Sequence, residues 1–329
     1  MSLPSTMKEV KLFGLGDLRI VESPVPTIEP DEILVRVRAC GICPTEIRKF
    51  TVPNYKPIPF PVNPGHEWTG DVVAVGARVK RFQVGWRIVA EGEGGYAEYA
   101  KVTASNLQYS CRLPDSVSYE EGTFVEPLSD CIHAVRERAK VIAGDRVVVV
   151  GAGPMGLGIV AAAAHSGANV MAVEPIPERR ALALEFGAEA VVDPNAASVE
   201  EAVLDWTSGR RANVCMATVG ISKVMESCMK LVGERGRVVL FGGGGAGQSI
   251  TIDPNWIHYN EISIIGSEWI GVGGKEEKDL YRVSTEWIAD GKVPVNRLIS
   301  HRFPLTKIHD AYETIQAGGT LKVILLTDR

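Results

Sequence analysis

Val147-Val148-Val149-Val150-Gly151-Ala152-Gly153-Pro154-Met155-Gly156 is the stretch that decides the fold. Four consecutive valines cannot alternate between two faces, so both faces of this segment must be covered, as in a buried parallel strand. A G-x-G-x-x-G turn follows, and then an Ala-rich apolar segment, 157–165, that predicts a helix. Strand, glycine turn and helix in this order are the setting in which the motif predicts dinucleotide binding.

Each glycine of the turn has its own physical role. Gly151 permits the tight turn, Gly153 lets the backbone approach a pyrophosphate, and Gly156 lets the helix pack on the strand. The helix N-terminus adds free N–H groups and a positive dipole end. Glu174 follows about twenty residues later, where a carboxylate binds a ribose 2′-OH and repels a 2′-phosphate. The pattern predicts NAD rather than NADP, although such glycines also occur in ordinary turns of other α/β proteins.

The composition narrows the class of protein. A chain of 329 residues with 45% hydrophobic residues predicts about two globular domains. The net charge of −5 and the absence of long Lys/Arg runs argue against a nucleic-acid partner. No apolar segment is long enough to predict a membrane span, and the N-terminus does not resemble a secretory signal. Six irregularly spaced cysteines are typical of reduced thiols, so we expect a cytoplasmic protein.

Strand-like and helical segments alternate from residue 128 onward. The predicted strands are 147–150, 170–173, 190–192, 213–217, 237–241 and 261–265, with His258 and Tyr259 in the loop before the last of them. This alternation predicts an α/β Rossmann fold, a doubly wound parallel sheet, over residues 128–267. Residues 1–127 predict a mostly-β domain that 268–329 completes, with a final strand at 321–326.

Three short segments of the first domain carry potential metal ligands. They are C-G-I-C, with Cys40 and Cys43, the His66-Glu67 pair, and Glu126. A thiolate, an imidazole and one or two carboxylates form a mixed donor set that zinc accepts, and a catalytic zinc keeps one position open. Taken singly, the cysteines can be buried apolar residues and His66 an ordinary histidine. Beside a dinucleotide site, the set predicts a hydride-transfer centre in which zinc polarises an alcohol.

The chain resembles the zinc-containing medium-chain dehydrogenases, the alcohol dehydrogenase superfamily, over nearly its whole length. The matching segments are Cys43-Pro44-Thr45-Glu46 for C-G-[ST]-D, Gly65-His66-Glu67-Trp68-Thr69-Gly70 for G-H-E-x-x-G, Gly95-Tyr96-Ala97-Glu98-Tyr99 for G-[GS]-[FY]-A-E-Y, and Ser300-His301-Arg302-Phe303-Pro304-Leu305 for T-H-x-[FL]-P-L. Glu126-Pro127-Leu128 with His133-Ala134 is similar to the polyol and threonine dehydrogenase branch. The resemblance implies a GroES-like catalytic domain joined to the Rossmann domain.

The resemblance also implies roles for residues of the first domain. Cys43 and His66 would be zinc ligands, and Glu67 a ligand or an immediate neighbour of the metal. Glu126 would replace the second thiolate of the alcohol dehydrogenase branch, directly or through water. Thr45 would accept the proton of the substrate hydroxyl, which makes Thr45 and Glu67 the expected catalytic residues.

Further implied contacts lie in the second domain. The resemblance assigns cofactor binding to the glycine turn and Glu174, and also to Met155, Arg179, Phe241 and Ser267. Trp269 follows in a segment that the family places near the nicotinamide and substrate. The polyol branch often has an arginine about there, and an ordinary packed tryptophan is the alternative. Candidate substrate contacts are therefore Thr45, Glu126 and Trp269.

The chain departs from the family pattern at several positions. No cysteine lies between Trp86 and Ser110, where many members bind a structural zinc, so we expect one catalytic zinc per chain. Arg48 occupies the place of the histidine that often ends the proton relay, and arginine is a poor proton acceptor. The proton then leaves by water or through another group. Glu46 replaces the usual aspartate neighbour of the zinc-bound histidine.

The sequence as a whole predicts NAD-dependent oxidation of a secondary alcohol in a polyol, sugar or cyclitol to the ketone. The resemblance implies a homodimer or homotetramer without deciding between them, and the strand at 261–265 is a candidate pairing edge. Oxidation of an amino-alcohol of the L-threonine type, or of a simple alcohol, is the nearest alternative. A zinc-free, NADPH-linked quinone or enone reductase and a non-catalytic nucleotide-binding protein would keep the fold without the metal ligands.

Overall fold

The structure, a computed structural model, describes residues 3–52, 59–245, 247–268 and 280–327. Within these ranges the strands are β1 Thr6–Gly14, β2 Asp17–Pro24, β3 Ile33–Gly41, β4 Glu67–Val75, β5 Arg87–Ala90, β6 Tyr99–Val102, β7 Cys111–Arg112, β8 Arg146–Val150, β9 Asn169–Val173, β10 Ala190–Val192, β11 Ala212–Ala217, β12 Val232–Leu240, β13 Ser263–Gly266, β14 Ile299–Pro304 and β15 Lys322–Leu326. The helices are α1 Pro44–Thr51, α2 Tyr119–Gly122, α3 Val125–His133, α4 Pro154–His165, α5 Pro177–Glu185, α6 Val199–Trp206, α7 Ser222–Cys228, α8 Pro254–Tyr259, α9 Leu280–Ala289 and α10 Ile308–Ala317. A π-helical segment, Ala134–Arg138, continues α3.

The valine run forms β8, near the centre of a parallel sheet. Among the described residues, this sheet has the order β10-β9-β8-β11-β12-β13, and every neighbouring pair is parallel. This is the strand order of the Rossmann fold. Val147, Val148 and Val149 are fully buried, and α4 packs against β8 through a continuously buried stretch, 156–163. The predicted fold class is confirmed.

One local prediction in this part of the chain is wrong. His258 and Tyr259 do not lie in a loop but end helix α8. The side chain of Asp253 accepts hydrogen bonds from the N–H groups of Asn255 and Trp256, at 2.9 and 3.3 Å. An N-cap aspartate followed by a proline at the first helical position is a standard helix start, and it is this local signal that makes the segment helical.

A second, mixed sheet is built from the two ends of the chain. Its described strands run in the order β14-β15-β3-β4-β5-β7, and β6 also pairs with β3. Strand β3 is mostly buried because β4, β6 and β15 all pair with it. The hairpin β1-β2 forms a separate two-stranded sheet that packs on the same core. The pairing of β15 with β3 brings Lys322, the first residue of β15, close to the end of β3.

The chain separates into two compact units. One comprises Met1–Glu126, Tyr281–Gly291 and Val295–Arg329, and the other comprises Pro127–Leu280 and Lys292–Pro294. Each unit has its own apolar core, formed around residues such as Trp68 in the first and Val148 in the second. Among the described residues, no helix combines the length and apolar character needed to cross a bilayer.

Candidate active site

The junction between β3 and α1 fixes the position of Cys43. Strand β3 ends at Gly41, and Pro44 opens α1, where a proline is compatible with the first helical turn. The Glu46 carboxylate accepts a hydrogen bond from the backbone N–H of Cys43 at 3.1 Å. His66 stands directly before β4, whose first residue is Glu67. Because β3 and β4 are paired, these residues meet at one end of the sheet.

The side chains of Cys43, His66 and Glu67 form a compact group. Their potential ligand atoms all lie within 4.8 Å of one another. Glu67 is buried, whereas Cys43 and His66 are partly exposed. A thiolate sulfur, an imidazole nitrogen and a carboxylate oxygen at this spacing fit a zinc ion. Glu126, the other predicted ligand, is buried in the first turn of α3 and is not in this group of three.

His66 is oriented by a second carboxylate. Its Nδ1 atom lies 2.5 Å from Oε1 of Glu46, which is buried. Burial lowers the pKa of His66, but the charge of Glu46 and smaller contributions from Cys43 and Glu126 together raise this pKa well above its usual value. Since Glu46 engages Nδ1, the other ring nitrogen is left for a metal, as in many carboxylate–histidine–zinc sites.

Lys322 is a residue of this group that the sequence analysis missed. It is buried, and its Nζ is ion-paired with Oε2 of Glu67. Burial lowers the pKa of Lys322, but the charges of Glu67 and then Cys43 outweigh this effect. The pKa of Lys322 is therefore higher than usual, and the ammonium stays charged. A Cβ on Gly41 would lie 2.7 Å from Cε of Lys322 and would overlap Glu67. The available signal was a lysine opening the apolar strand K-V-I-L-L.

The remaining predicted residues of this region lie on α1 and β3. Thr45 is partly exposed in the first turn of α1, and Arg48 is partly exposed near the end of the helix. Cys40 is buried, and its thiol donates to the carbonyl oxygen of Gly41 at 3.5 Å. Burial raises the pKa of Cys40 well above its usual value, which favours the neutral thiol over a metal-binding thiolate.

The glycine turn in the second unit fits a dinucleotide. Gly151 has a φ of 99°, a conformation that strongly favours glycine. A Cβ on Gly156 would overlap the carbonyl oxygen of Gly151 and lie 2.9 Å from its carbonyl carbon. A Cβ on Gly153, the N-cap of α4, would meet no atom of the described residues within 4 Å, apart from its two neighbours in the chain. The space over Gly153 is therefore open beside the free N–H groups of the helix N-terminus.

Glu174 ties this turn to the end of β9. Its two carboxylate oxygens accept hydrogen bonds from the backbone N–H groups of Ala152 at 2.8 Å and Ile176 at 3.0 Å. Only 4% of Glu174 is exposed. Of the other predicted cofactor residues, Met155 lies in the first turn of α4 and Arg179 lies on α5. The structure thus brings Glu174 and the glycine turn together at the carboxyl ends of two adjacent strands.

A cavity of about 670 Å³ lies at the carboxyl ends of β12 and β13. Phe241 and Ser267, both predicted cofactor residues, line it together with Gly242 and Glu268. Within the described part of the chain, the buried hydroxyl of Ser267 has no hydrogen-bond partner. The glycine turn is not among the lining residues of this cavity. Trp269 lies outside the described residues.

Two family models match the chain. The model of the alcohol dehydrogenase GroES-like domain matches residues 29–115, and that of the zinc-binding dehydrogenases matches residues 154–287. Both matches agree with the two sites described above, because Cys43 and His66 fall in the first and Gly156 and Glu174 in the second.

Relatives match over almost the entire chain. The (R,R)-butanediol dehydrogenase of Bacillus subtilis is 30% identical over 91% of this chain and 93% of its own length. The sorbitol dehydrogenase of Homo sapiens is also 30% identical, over 96% and 95%. A zinc-binding dehydrogenase from Sinorhizobium meliloti, solved with NADP, superposes with a TM-score of 0.89 at 28% identity, covering 98% and 100% of the two chains. The chain therefore belongs to the zinc-containing medium-chain dehydrogenase family, as an oxidoreductase that uses zinc and a nicotinamide cofactor.

Proposed function

We propose that this protein oxidises a secondary alcohol of a polyol, sugar or cyclitol to the ketone, with NAD as the hydride acceptor. The observation that carries the proposal is the grouping of Cys43, His66 and Glu67 within 4.8 Å in a chain that also holds a dinucleotide turn. The relatives named for sorbitol and butanediol act on alcohols with more than one hydroxyl group. Their similarity supports a polyhydroxylated substrate over an amino-alcohol or a simple alcohol.

The residues of the first unit have distinct roles in this proposal. Cys43, His66 and Glu67 hold the zinc, and Glu126 completes the set directly or through water. Bound zinc supplies a Lewis acid that makes a substrate hydroxyl more acidic. Thr45, two residues from Cys43, accepts the hydroxyl proton and passes it to water. A carboxylate on Nδ1 fixes the orientation of the His66 ring.

The second unit binds the cofactor. The backbone at Gly153 and the N-terminus of α4 take the pyrophosphate, and Glu174 takes the hydroxyls of the adenosine ribose. A relative has been solved with NADP, so the assignment of NAD depends on Glu174, whose charge repels a 2′-phosphate. The hydroxyl of Ser267, which has no partner among the described residues, lines a cavity suited to the nicotinamide end together with Phe241.

We also infer one zinc per chain and no structural zinc, because the segment between Trp86 and Ser110 has no cysteine. The catalytic domain is 1–127 with 268–329, and the NAD-binding domain is 128–267.

We infer a homodimer or homotetramer that pairs through β13. This strand is a described edge of its sheet and leaves Ile264 36% exposed. Light scattering tests the assembly, and Ile264→Lys should produce smaller particles.

A cysteine substitution tests the function. Cys43→Ala should remove zinc and turnover, while NADH binding, followed by cofactor fluorescence, should persist. Cys111→Ala is the matched control, since Cys111 lies in the same unit but contacts Thr285 rather than the proposed ligands. One zinc per chain in the wild type and none in Cys43→Ala is expected. Normal turnover in Cys43→Ala would remove the zinc mechanism.

A further inference from the structure

The carboxylate of Glu67 has a cationic partner within the chain. Its Oε2 is ion-paired with Nζ of Lys322, and both side chains are buried. The same carboxylate belongs to the group with Cys43 and His66 that fits a zinc ion. The Glu67 carboxylate therefore lies next to both the Lys322 ammonium and the proposed metal position.

We propose that Lys322 is an internal counter-cation for Glu67 that competes with zinc for this carboxylate and stabilises the metal-free site. The inference rests on the proposed zinc ligands Cys43, His66 and Glu67. Lys322 touches none of the reacting groups in this account; it is a positioning residue that acts through Glu67.

The charges of the site require such a cation when no metal is present. Glu67, which is grouped with Cys43, is 3% exposed, and Glu126, whose charge acts on His66 and Lys322, is 6% exposed. A buried carboxylate without a partner carries a large desolvation cost, so an unpaired Glu67 would destabilise the fold. Lys322 offsets this charge. When zinc binds the same carboxylate, two cations lie close together in a poorly solvated site and repel each other.

The backbone holds Lys322 in this place. Lys322 pairs with Ile299 of β14, and its carbonyl oxygen accepts a hydrogen bond from the Ser300 hydroxyl at 3.2 Å. Two residues further along, Ile324 pairs with Gly41 of β3. With only 5% of the residue exposed, the side chain is buried. The absence of a Cβ on Gly41 leaves the space that the Lys322–Glu67 pair occupies.

The decisive test compares zinc affinities by competition with a chelator. Lys322→Met should bind zinc about tenfold more tightly than the wild type or better, because the competing charge is gone. The metal-free variant should unfold at a lower temperature than the metal-free wild type, and added zinc should raise its Tm by a larger amount. General damage to the site would lower the zinc affinity, so a rise separates the proposed role from a purely structural one.

Three further variants complete the design. Glu67→Gln has no carboxylate for which Lys322 and zinc can compete. Adding Lys322→Met to Glu67→Gln should therefore change zinc affinity much less than adding it to the wild type. The comparison of Glu67→Gln with the double variant remains measurable if Lys322→Met alone is poorly folded without zinc. Lys322→Arg should resemble the wild type. Lys101→Met is a surface control, since Lys101 pairs with Glu32 elsewhere in the same unit.

The outcomes separate the two proposals. Failure of the wild type to bind zinc contradicts the proposed function. Zinc binding by the wild type with equal or weaker binding by Lys322→Met contradicts the counter-cation role alone. An equally large effect of Lys322→Met in the Glu67→Gln background also contradicts it, because the action would not pass through Glu67.

Discussion

One oxygen of the Glu46 carboxylate lies 2.5 Å from Nδ1 of His66, and the other accepts a hydrogen bond from the backbone N–H of Cys43 at 3.1 Å. A single buried side chain thus fixes two of the three proposed zinc ligands. Glutamate stands where the family usually has aspartate, and its additional methylene does not prevent the contact. The first turn of α1 carries both Cys43, as its N-cap, and Glu46, which explains the shared position.

Removing this carboxylate should weaken the metal site. We expect Glu46→Ala to lower zinc affinity or turnover roughly 10–100-fold, as for other carboxylates that orient a ligating histidine. Chelator competition and initial rates measure the two effects. Glu261→Ala is the control, because Glu261 is exposed and pairs with Arg235 in the other unit. Equal losses in both variants would show that general charge, rather than the contact with His66, is responsible.

The second and third glycines of the turn, Gly153 and Gly156, should respond differently to alanine. Gly156→Ala forces a Cβ onto the carbonyl of Gly151 and should destabilise the protein by about 1–3 kcal/mol. Gly153→Ala adds a methyl group that meets none of the described residues beyond its chain neighbours, so it should keep the wild-type Tm while NAD affinity falls, since the methyl group projects into the proposed pyrophosphate space. Thermal unfolding and NADH titration test both. Unchanged NAD affinity in Gly153→Ala would contradict the proposed cofactor position.

Glu174 should determine the choice between NAD and NADP. We expect the wild type to prefer NAD and Glu174→Gln to reduce that preference roughly 10–100-fold, the range for hydrogen bonds to a charged group. Gln retains one acceptor for the N–H of Ala152, which limits damage to the turn. The readout is the ratio of kcat/KM for the two cofactors. A wild-type preference for NADP would refute the role given to this residue.

A buried acid outside the proposed ligand set should make stability depend on pH. Burial raises the pKa of Glu91 from 4.5 to about 7, although the hydroxyl of Tyr281, which donates to Glu91 at 2.6 Å, lowers it. Because the folded protein binds this proton more tightly, the resulting stability is complete below about pH 4.5 and is lost as the pH rises through about 7. The full effect is on the order of 3 kcal/mol.

Glu91→Gln removes this titration and keeps an acceptor for Tyr281. As the pH rises from about 5 to about 8, the Tm of the wild type should therefore decrease relative to that of Glu91→Gln. Thermal unfolding of both proteins across this range is the measurement. Parallel curves would mean that Glu91 is already ionised in the folded protein at about pH 5.

The fold was predictable because its strongest signals are local. The run Val147–Val150 and the glycine turn after it needed no long-range information to indicate a buried parallel strand. Strand β14 was not predicted: I-S-H-R-F-P is poor in apolar residues and mostly exposed, and it pairs with β15 at a sheet edge. Its pairing comes from backbone hydrogen bonds, which a hydrophobic pattern does not reveal.

The site was predictable only in part, for a similar reason. Cys43, His66 and Glu67 belong to short motifs, so their residue types and spacing carry information within the sequence itself. Lys322 lies 255 residues from Glu67 in the sequence, and only the pairing of β15 with β3 brings it there. The link between Glu126 and the metal stays a prediction. Sequence alone could not show whether the longer Glu46 still reaches His66.

The central claim is a zinc-dependent, NAD-linked oxidation of a polyhydroxylated alcohol. The most direct measurement is the initial rate of NAD reduction with polyols, inositols, amino-alcohols and simple alcohols, before zinc removal, after it, and after zinc is restored. We predict the highest kcat/KM with a polyol or cyclitol, loss of this activity with the metal, and its return with zinc. Full polyol oxidation after complete removal of zinc, or activity restricted to NADPH-dependent reduction of enones, would contradict the account.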